Sequence, residues 1–389
     1  MRVILKVILI LLITWVSIGK VIGQSAIEPG ELGGKVNIVN TAVPFLDITP
    51  DSRGGAMGNA GVATTPDLNS QHWNPSKFAF IDGNSGIAVS YVPWLRDLVS
   101  DINLYYLTGF YRLDDMQVIS GSLRYFTLGG ITMRETADDI GYQINPNELA
   151  FDVGYSRILS DHFSGSVAFR YIRSDLFQSG GQHGDMSAGT SFAADISFFY
   201  NRDVNWFEND SRFAAGINIS NIGSKISYDG GHTEEFIPTN LRLGTSLTTD
   251  LDEYNSISFS LDANKLLVPT PPAGIETSEE YVEEYRDKSV ISGMFSSFGD
   301  APGGFSEEMQ EISLAFGIEY WYANQFALRG GYFHEHENKG NRKHFTAGIG
   351  LKFNMVTLDA SYLIPTVSNN PLANTVRFTL GVDLDQVGL

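Results

Sequence analysis

Between Ser85 and Leu384 the chain reads as about fourteen segments of alternating apolar and polar residues, joined by connections that are short and long in turn. One register is almost wholly apolar, as in Ile257, Phe259, Leu261 and Ala263 set against Ser256, Ser258, Ser260, Asp262 and Asn264. Neighbouring side chains in such a run face opposite environments, which is the mark of a strand. The same rhythm recurs in 163–171, 213–219, 241–247, 312–322, 345–353, 356–362 and 376–384. With its flanking residues each run can reach the roughly 9 to 11 residues that a tilted strand needs to cross a bilayer. Connections at 114–115, 160–161, 250–253, 323–324 and 354 are tight, and the one at 201–210 is expected to be longer. Those at 93–100, 127–146, 175–186, 223–235, 265–311, 335–341 and 365–373 are long. Short periplasmic turns facing long external loops are the layout of an antiparallel transmembrane β-barrel with an even number of strands.

A soluble sandwich also alternates, with its apolar face inward, so charge has to decide which register meets lipid. Arg170, Arg212, Arg242, Arg329, Lys352 and Arg377 all fall in the polar register. A lipid-facing Arg or Lys at the midplane costs about 2–4 kcal/mol. Six of them would exceed the roughly 5–15 kcal/mol that holds a domain together. The polar register is therefore expected to line the lumen, with Asp152, Asp262, Glu319, Asp359 and Asp383 supplying the opposite sign. Gly154, Gly216, Gly244, Gly317, Gly348, Gly350 and Gly381 share that register, so the lumen has room for another segment. Tyr91, Trp94, Tyr105, Tyr106, Tyr111, Tyr125, Phe199, Tyr200, Trp206, Tyr320, Trp321 and Tyr322 fall near strand ends, where aromatic girdles mark the bilayer edges.

The absence of cysteine among the 389 residues excludes a disulfide framework and a thiolate metal site. Arg2 and Lys6, the apolar run 7–18 and the small residues after it read as a signal peptide over 1–23, with Gln24 the expected mature start. Losing Arg2, Lys6 and Lys20 takes the net charge from −19 to −22, which makes nucleic acid a poor partner. An N-terminal arm over 24–44 would then lead into a segment of different character at 45–84, ahead of the barrel proper at 85–389.

That segment carries Leu46-Asp47-Ile48, then Arg53-Gly54-Gly55-Ala56-Met57-Gly58-Asn59-Ala60-Gly61, then Asp67 and Trp73-Asn74-Pro75. It does not alternate, and its glycines permit close backbone approach. It is read as either a compact plug within the lumen or an arm against the periplasmic rim. The glycine-rich core with Asn74-Pro75 resembles the N-terminal hatch of FadL-like outer-membrane barrels, and the fuller string resembles the PorV family of the type IX secretion system. The resemblance implies a FadL-like, all-β fold of fourteen antiparallel strands with an N-terminal hatch. It gives Arg53, Gly54, Gly55, Met57, Asn59, Gly61, Asn74 and Pro75 a structural role there. It also implies a non-enzymatic shuttle without cofactors in the outer membrane. Its partners would be a translocon barrel, secreted proteins with a C-terminal secretion domain, the surface attachment complex and outer-membrane lipid. The alternative it leaves open is a FadL-like transporter of hydrophobic small molecules, and a purely structural scaffold is a third reading.

The external loop 265–311 is too long to be structureless in a compact protein. Thr277 and Glu280 have capping-box spacing, which predicts a short helix over 278–288. Tyr281, Val282 and Tyr285 on that helix, with Met294, Phe295, Phe298 and Phe305, form a candidate surface for partners or cargo. No Gly-x-Ser-x-Gly elbow and no Walker loop or dinucleotide fingerprint in a strand-to-helix setting occurs, which argues against enzymatic readings that need them. His334, His336 and His344 form the one imidazole cluster, a weak metal candidate against the simpler expectation of solvated loop residues.

Overall fold

The computed structural model describes residues 37–389, apart from 97–98, 100, 135–139, 178–185, 207–208, 272–284, 367–371 and 386–389. Its strands are β1 (Ser85–Pro93), β2 (Asn103–Asp114), β3 (Gln117–Thr127), β4 (Ile131–Met133), β5 (Tyr142–Ile144), β6 (Asn147–Ser160), β7 (Phe163–Asp175) and β8 (Gly189–Trp206). They continue as β9 (Asn209–Gly223), β10 (Asn240–Asp252), β11 (Asn255–Leu266), β12 (Ser313–Tyr322), β13 (Phe326–His334), β14 (Lys343–Phe353), β15 (Val356–Pro365) and β16 (Val376–Asp383). All but β4 and β5, which pair as a ribbon between β3 and β6, close into a fourteen-stranded barrel. Each barrel strand pairs antiparallel with its chain neighbour, and β1 pairs with β16 to shut the seam. Asp385 pins the seam at the turn end, its carboxylate accepting from the backbone nitrogens of Asn84 at 2.6 Å and Ser85 at 3.0 Å.

Turn chemistry explains the short connections. Ala323 and Asn324, between β12 and β13, both have positive φ (51° and 53°), and Asn354, between β14 and β15, has φ 49°. Left-handed residues in tight hairpins match the twist of the flanking strands. The connection expected to be long at 201–210 is instead continuous ladder, because β8 and β9 stay paired down to Trp206 and Asn209. Arg202, Val204 and Trp206 alternate there with Asn201, Asp203 and Asn205, but the run is short, mixed and rich in turn-forming Asn and Asp, so periodicity alone reads it as a connection.

Burial is inverted relative to a soluble protein. The outward register exposes Val89, Leu107, Val153, Phe169, Phe192, Leu261, Phe316, Leu328, Ile349 and Phe378, while Ser90, Thr108, Ser122, Ser166, Ser197, Ser260 and Thr379 are buried. An apolar exterior around a polar interior is the arrangement that lipid demands. Among the described residues no helix is long and apolar enough to cross a membrane. Arg170, Arg242, Arg329 and Arg377 are buried inward, but Arg212 and Lys352 are exposed near the turn end, where strands have already left the apolar band. Tyr91, Tyr105 and Tyr125 form a row on adjacent strands, with ring centroids 5.4 and 6.4 Å apart. Tyr106 and Phe199 face the interior, so they leave the girdle.

Replacing outward-facing Phe169 (70% exposed, in the middle of β7) by Arg is expected to lower folding free energy in lipid vesicles by about 2–4 kcal/mol, read from urea titrations of the heat-modifiable gel shift.

Candidate functional site

The candidate site has three parts: the inner segment with the wall around it, the ion-paired cap on the long-loop end, and a cavity beneath that cap.

The segment from Asn37 to Ile81 is bonded to or packed against inward-facing groups of every barrel strand, so it lies inside the barrel. On one side Ser120 Oγ donates to Gln71 Oε1 and Gln71 Nε2 to Asp152 Oδ1, both at 2.6 Å. Ser156 and Ser164 donate to the carbonyls of Pro75 (2.8 Å) and Ser76 (2.7 Å). Asn74 Nδ2 donates to the Phe198 carbonyl, and Asn218 Nδ2 to that of Trp73, both at 3.0 Å. On the other side Asp262 Oδ2 accepts from the backbone nitrogens of Gly61 (2.7 Å) and Val62 (2.9 Å). Thr346 Oγ1 donates to the Ala56 carbonyl at 2.7 Å and accepts from Gly58 N at 2.9 Å. Thr379 accepts from Ser52 N at 2.9 Å, and Arg377 Nε donates to the Thr49 carbonyl at 3.2 Å. Leu68 meets β1 and β2 near Gly86 and Thr108, and the helix Ser52–Ala56 packs on β15.

The glycine pattern follows from what lies against it. Asp51 caps the helix Ser52–Ala56 by accepting from Gly54 N at 2.7 Å, and it also accepts from Trp73 Nε1 at 2.7 Å. A Cβ on Gly54 or Gly61 would overlap the Trp73 indole. Gly58, at φ +67°, lets the chain turn against the backbone of Tyr332. Across it Gly331 of β13 is so close that a Cβ there would overlap the Met57 and Gly58 backbone. Met57 is fully buried with Ala60, Ala315 and Phe333. Asn59 Oδ1 accepts from Thr49 Oγ1 at 2.9 Å, and Asn74 caps the 3-10 turn Pro75–Phe80.

Charges on the segment and the wall are mutual partners. Arg53 grips Glu319 through Nε (2.9 Å) and Nη2 (2.7 Å) and reaches Asp67 at 2.9 Å. Glu319 also accepts from Arg329 at 2.6 Å, and Arg329 pairs with Asp359 at 2.5 Å. Arg170 pairs with Asp152 (3.1 Å) and Asp195 (2.9 Å).

At the long-loop end, Lys265 pairs with Glu308 (3.1 Å) and Glu311 (2.5 Å), and Lys339 with Glu307 (2.6 Å) and Glu311 (3.0 Å). Asn37 joins them, its backbone nitrogen donating to the Asn338 carbonyl at 3.0 Å and its side chain to the Pro271 carbonyl at 2.7 Å. The described end of the arm therefore lies among the long loops, away from the periplasmic rim. Burial works against ionised Glu307 and Glu311, yet hydrogen bonds from Lys339 and Lys265 hold both below the usual carboxylate range. Outside this ion-paired base, Ile291, Phe295, Phe298, Phe305 and Met309 are more than half exposed, while Met294 is half-buried. Phe295 lies on the helix Val290–Ser296, and Phe305 opens the helix Phe305–Gln310. Tyr285 stacks edge-on against Phe236 at 6.0 Å. Tyr281, Val282 and most of the helix expected over 278–288 lie outside the described residues.

Beneath the cap is a cavity of about 390 Å³, walled by residues of 38–49, Asn59, His72, Trp73, the loop-end residues of β10–β13 and residues of the loops that follow β11 and β13. Arg242 reaches Asp47 at 3.7 Å and donates to the His72 carbonyl at 3.0 Å. The sequence pointed to neither the cap nor this cavity as a unit, because Lys265, Glu311, Lys339 and Arg342 converge from separate loops.

The imidazole cluster does not assemble. In the β13–β14 ladder Phe333 faces His344 and His334 faces Lys343, so His334 and His344 project to opposite sides of the sheet. His344 is buried and stacked on Phe333 at 5.2 Å, and His336 Nδ1 accepts from Asn338 N at 3.2 Å. Among the described residues no group of three or more His, Asp or Glu could hold a metal ion.

A family model described as "Type IX secretion system protein PorV" matches residues 33–273, more than half of the chain. A search of curated proteins returns no match. Among solved structures, the chain is similar to the Ralstonia pickettii toluene transporter TbuX at 10% identity and a TM-score of 0.42, over 85% of this chain and 97% of that one. It is also similar to the Pseudomonas putida toluene transporter TodX (13%, 0.45, 85% and 96%) and to a Pseudomonas aeruginosa FadL homologue (12%, 0.39, 90% and 99%).

Two outcomes are expected. Gly331→Leu should leave the barrel heat-modifiable but expel the 57–58 backbone, raising single-channel conductance in planar bilayers above that of the unsubstituted protein. Glu307 and Glu311 have depressed folded pKa values, so their stabilisation is complete above the unfolded value of about 4.3 and is lost as pH falls through the lower folded values. Hydrogen exchange at 301–311 should accordingly rise between pH 5 and pH 3, by about tenfold after correction for intrinsic rates, while the strands stay protected.

Proposed function

Because the chain belongs to the PorV family of type IX secretion system proteins, and is accordingly an integral outer-membrane β-barrel component of that system, we propose that it binds secreted proteins carrying a C-terminal secretion domain at the translocon barrel and hands them to the surface attachment complex. The inner segment acts as a plug: with every strand in contact with it, the lumen conducts no cargo, and cargo is handled outside the barrel. Arg53, Gly54, Gly55, Met57, Asn59, Gly61, Asn74 and Pro75 hold that plug in place. The work is binding and transfer, with no bond made or broken.

The observation that carries the docking part of the reading is the exposed apolar set Phe295, Phe298 and Phe305, with Ile291 and Met309, above an ion-paired base. Large apolar side chains clustered in water mark interaction sites. The base keeps this loop's foot fixed, so less ordering is lost when a partner binds. Tyr281 and Val282 extend the candidate surface by sequence. Uptake of hydrophobic molecules would call instead for an apolar pocket in the lumen, and the described cavity carries three cations and three anions.

Changing Phe295, Phe298 and Phe305 together to Ser is expected to leave barrel assembly intact and reduce surface-attached cargo at least about tenfold, read by surface proteolysis and mass spectrometry of intact cells. Purification through a tag in an external loop should bring down a translocon barrel or proteins sharing a C-terminal secretion domain. A lone barrel carrying hydrophobic molecules would favour the transporter reading.

A further inference from the structure

A closed barrel has no free edge along its wall, yet β8 outruns its neighbour at the short-turn end. β7 begins at Phe163, opposite Tyr200 of β8, and the last bond on that side runs from Asn201 N to the His162 carbonyl at 2.9 Å. β8 continues to Trp206, still paired with β9. Residues 202–206, about 16 Å of strand at roughly 3.3 Å per residue, therefore have a neighbour on one edge only. The far edge of the hairpin is better covered, since β10 pairs with β9 as far as Thr249 opposite Ser211.

The last bond to His162 fixes which groups the open edge presents. Asn201 N–H points toward β7, so in an alternating ladder the N–H and C=O of Asp203 and Asn205 point the same way, while those of Arg202, Val204 and Trp206 point to β9. Among the described residues no strand or turn pairs with Asp203 or Asn205 on that side. Both residues are exposed, the Asp203 side chain by 83%. Proline, bulges and covering loops are the usual devices that keep an open edge from pairing. Residues 202–206 contain no proline, and the one register shift between β8 and β9 lies higher up, at Ala194–Ile196.

Charge and pattern define the strand that fits. The turn beside the open edge carries Asp161, and the next one along carries Asp114 and Asp115, against Arg157 on β6. Arg212 reaches Asp203 at 3.1 Å, but both side chains are more than half exposed, and such a pair holds neither strongly. Val204 and Trp206 continue the outward register of β8, and Asp203 and Asn205 the inward one. An added strand would alternate to match, with apolar side chains beside Val204 and Trp206 and basic ones beside Asp203. A second copy does not meet this geometry. Two barrels related by a two-fold along the membrane normal have strands that cross at twice their tilt, about 70–90° for a tilt of 35–45°, which no ladder spans.

We propose that residues 202–206 form a periplasmic docking edge, to which a basic, extended segment of a soluble periplasmic protein adds as an extra strand. The backbone of Asp203 and Asn205 makes the bonds, and the acidic turns select the sign. This face lies opposite the long loops, so the inference is independent of the cargo reading.

The test titrates the end-capped peptide Lys-Val-Lys-Val-Lys-Val-Lys against the full-length barrel in zwitterionic nanodiscs, with fluorescence anisotropy for affinity and residue-resolved hydrogen exchange for position. Saturable binding is expected, with exchange at the Asp203 and Asn205 amides slowed at least about tenfold. The same peptide with Glu in place of Lys should bind at least about tenfold more weakly. Asn205→Pro deletes one outward N–H but no bond to β9, a change that an open edge tolerates, and it should weaken binding at least about tenfold. Asp203→Lys keeps every backbone group and should turn the preference toward the Glu peptide. Both variants are checked for heat-modifiable folding, and Asp203→Lys decides the matter if Asn205→Pro does not fold. Three results overturn the proposal: no binding of the Lys peptide, binding without protection of the two amides, or binding and charge preference left unchanged in the folded variants.

Discussion

The run of charges Arg53, Glu319, Arg329 and Asp359 is the interaction on which the interior depends. Three of its members stand on β12, β13 and β15 and one on the inner segment, each within 2.9 Å of the next. Buried charges are tolerable only when paired and hydrogen-bonded, and removing one member leaves the others exposed to the full cost of desolvation. Glu319 bridges two guanidiniums, so the wall is not electrostatically complete by itself. The segment supplies the second cation, as Gln71 supplies an amide to the Asp152–Arg170–Asp195 group. Barrel and segment therefore form one polar core turned inside out, with lipid taking the place that water has around a soluble domain.

Much of the barrel was legible because a strand in lipid has no latitude in its pattern. Reversing the faces of Ile257–Ala263 would put Ser258, Ser260 and Asp262 into hydrocarbon. Where that pressure ends, legibility ends. Arg212 and Lys352 keep the alternation but lie where both faces meet water, so the charge argument says nothing about them. The β8–β9 ladder near Asn201–Asp210 is rich in Asn and Asp on one face and mixes Arg202 with Val204 and Trp206 on the other, so it looks like loop. Tyr106 and Phe199 are aromatic near strand ends, yet an inward aromatic and a girdle aromatic differ only in register, which a one-residue ambiguity erases.

The segment's composition announces close packing but not its partners. Gly54 and Gly61 are spaced to clear one indole, and nothing local to the 53–61 string says that Trp73 will supply it. The cap is less legible still. Lys265, Glu307, Glu311 and Lys339 are unremarkable loop charges until 265–311 and 335–341 are brought together, and Asn37 joins them from the far end of the chain. Long-range convergence of this kind has no period, and a single sequence carries no other signal for it. The histidines show the converse: near in sequence, they are parted by the parity of a strand.

The path of the inner segment bears on how such a molecule comes to exist. Asn37 is tied among the long loops, while Asn84 and Ser85 are tied at the short-turn end, so the backbone between them traverses the barrel from one mouth to the other. Once β1 and β16 have zipped together, a polypeptide packed against all fourteen strands could enter only by threading through a mouth of the barrel. A sheet that curls around the segment before that seam shuts avoids the threading, with the segment as a mandrel and the final strand pairing timed by a stretch of chain that is not itself part of the sheet.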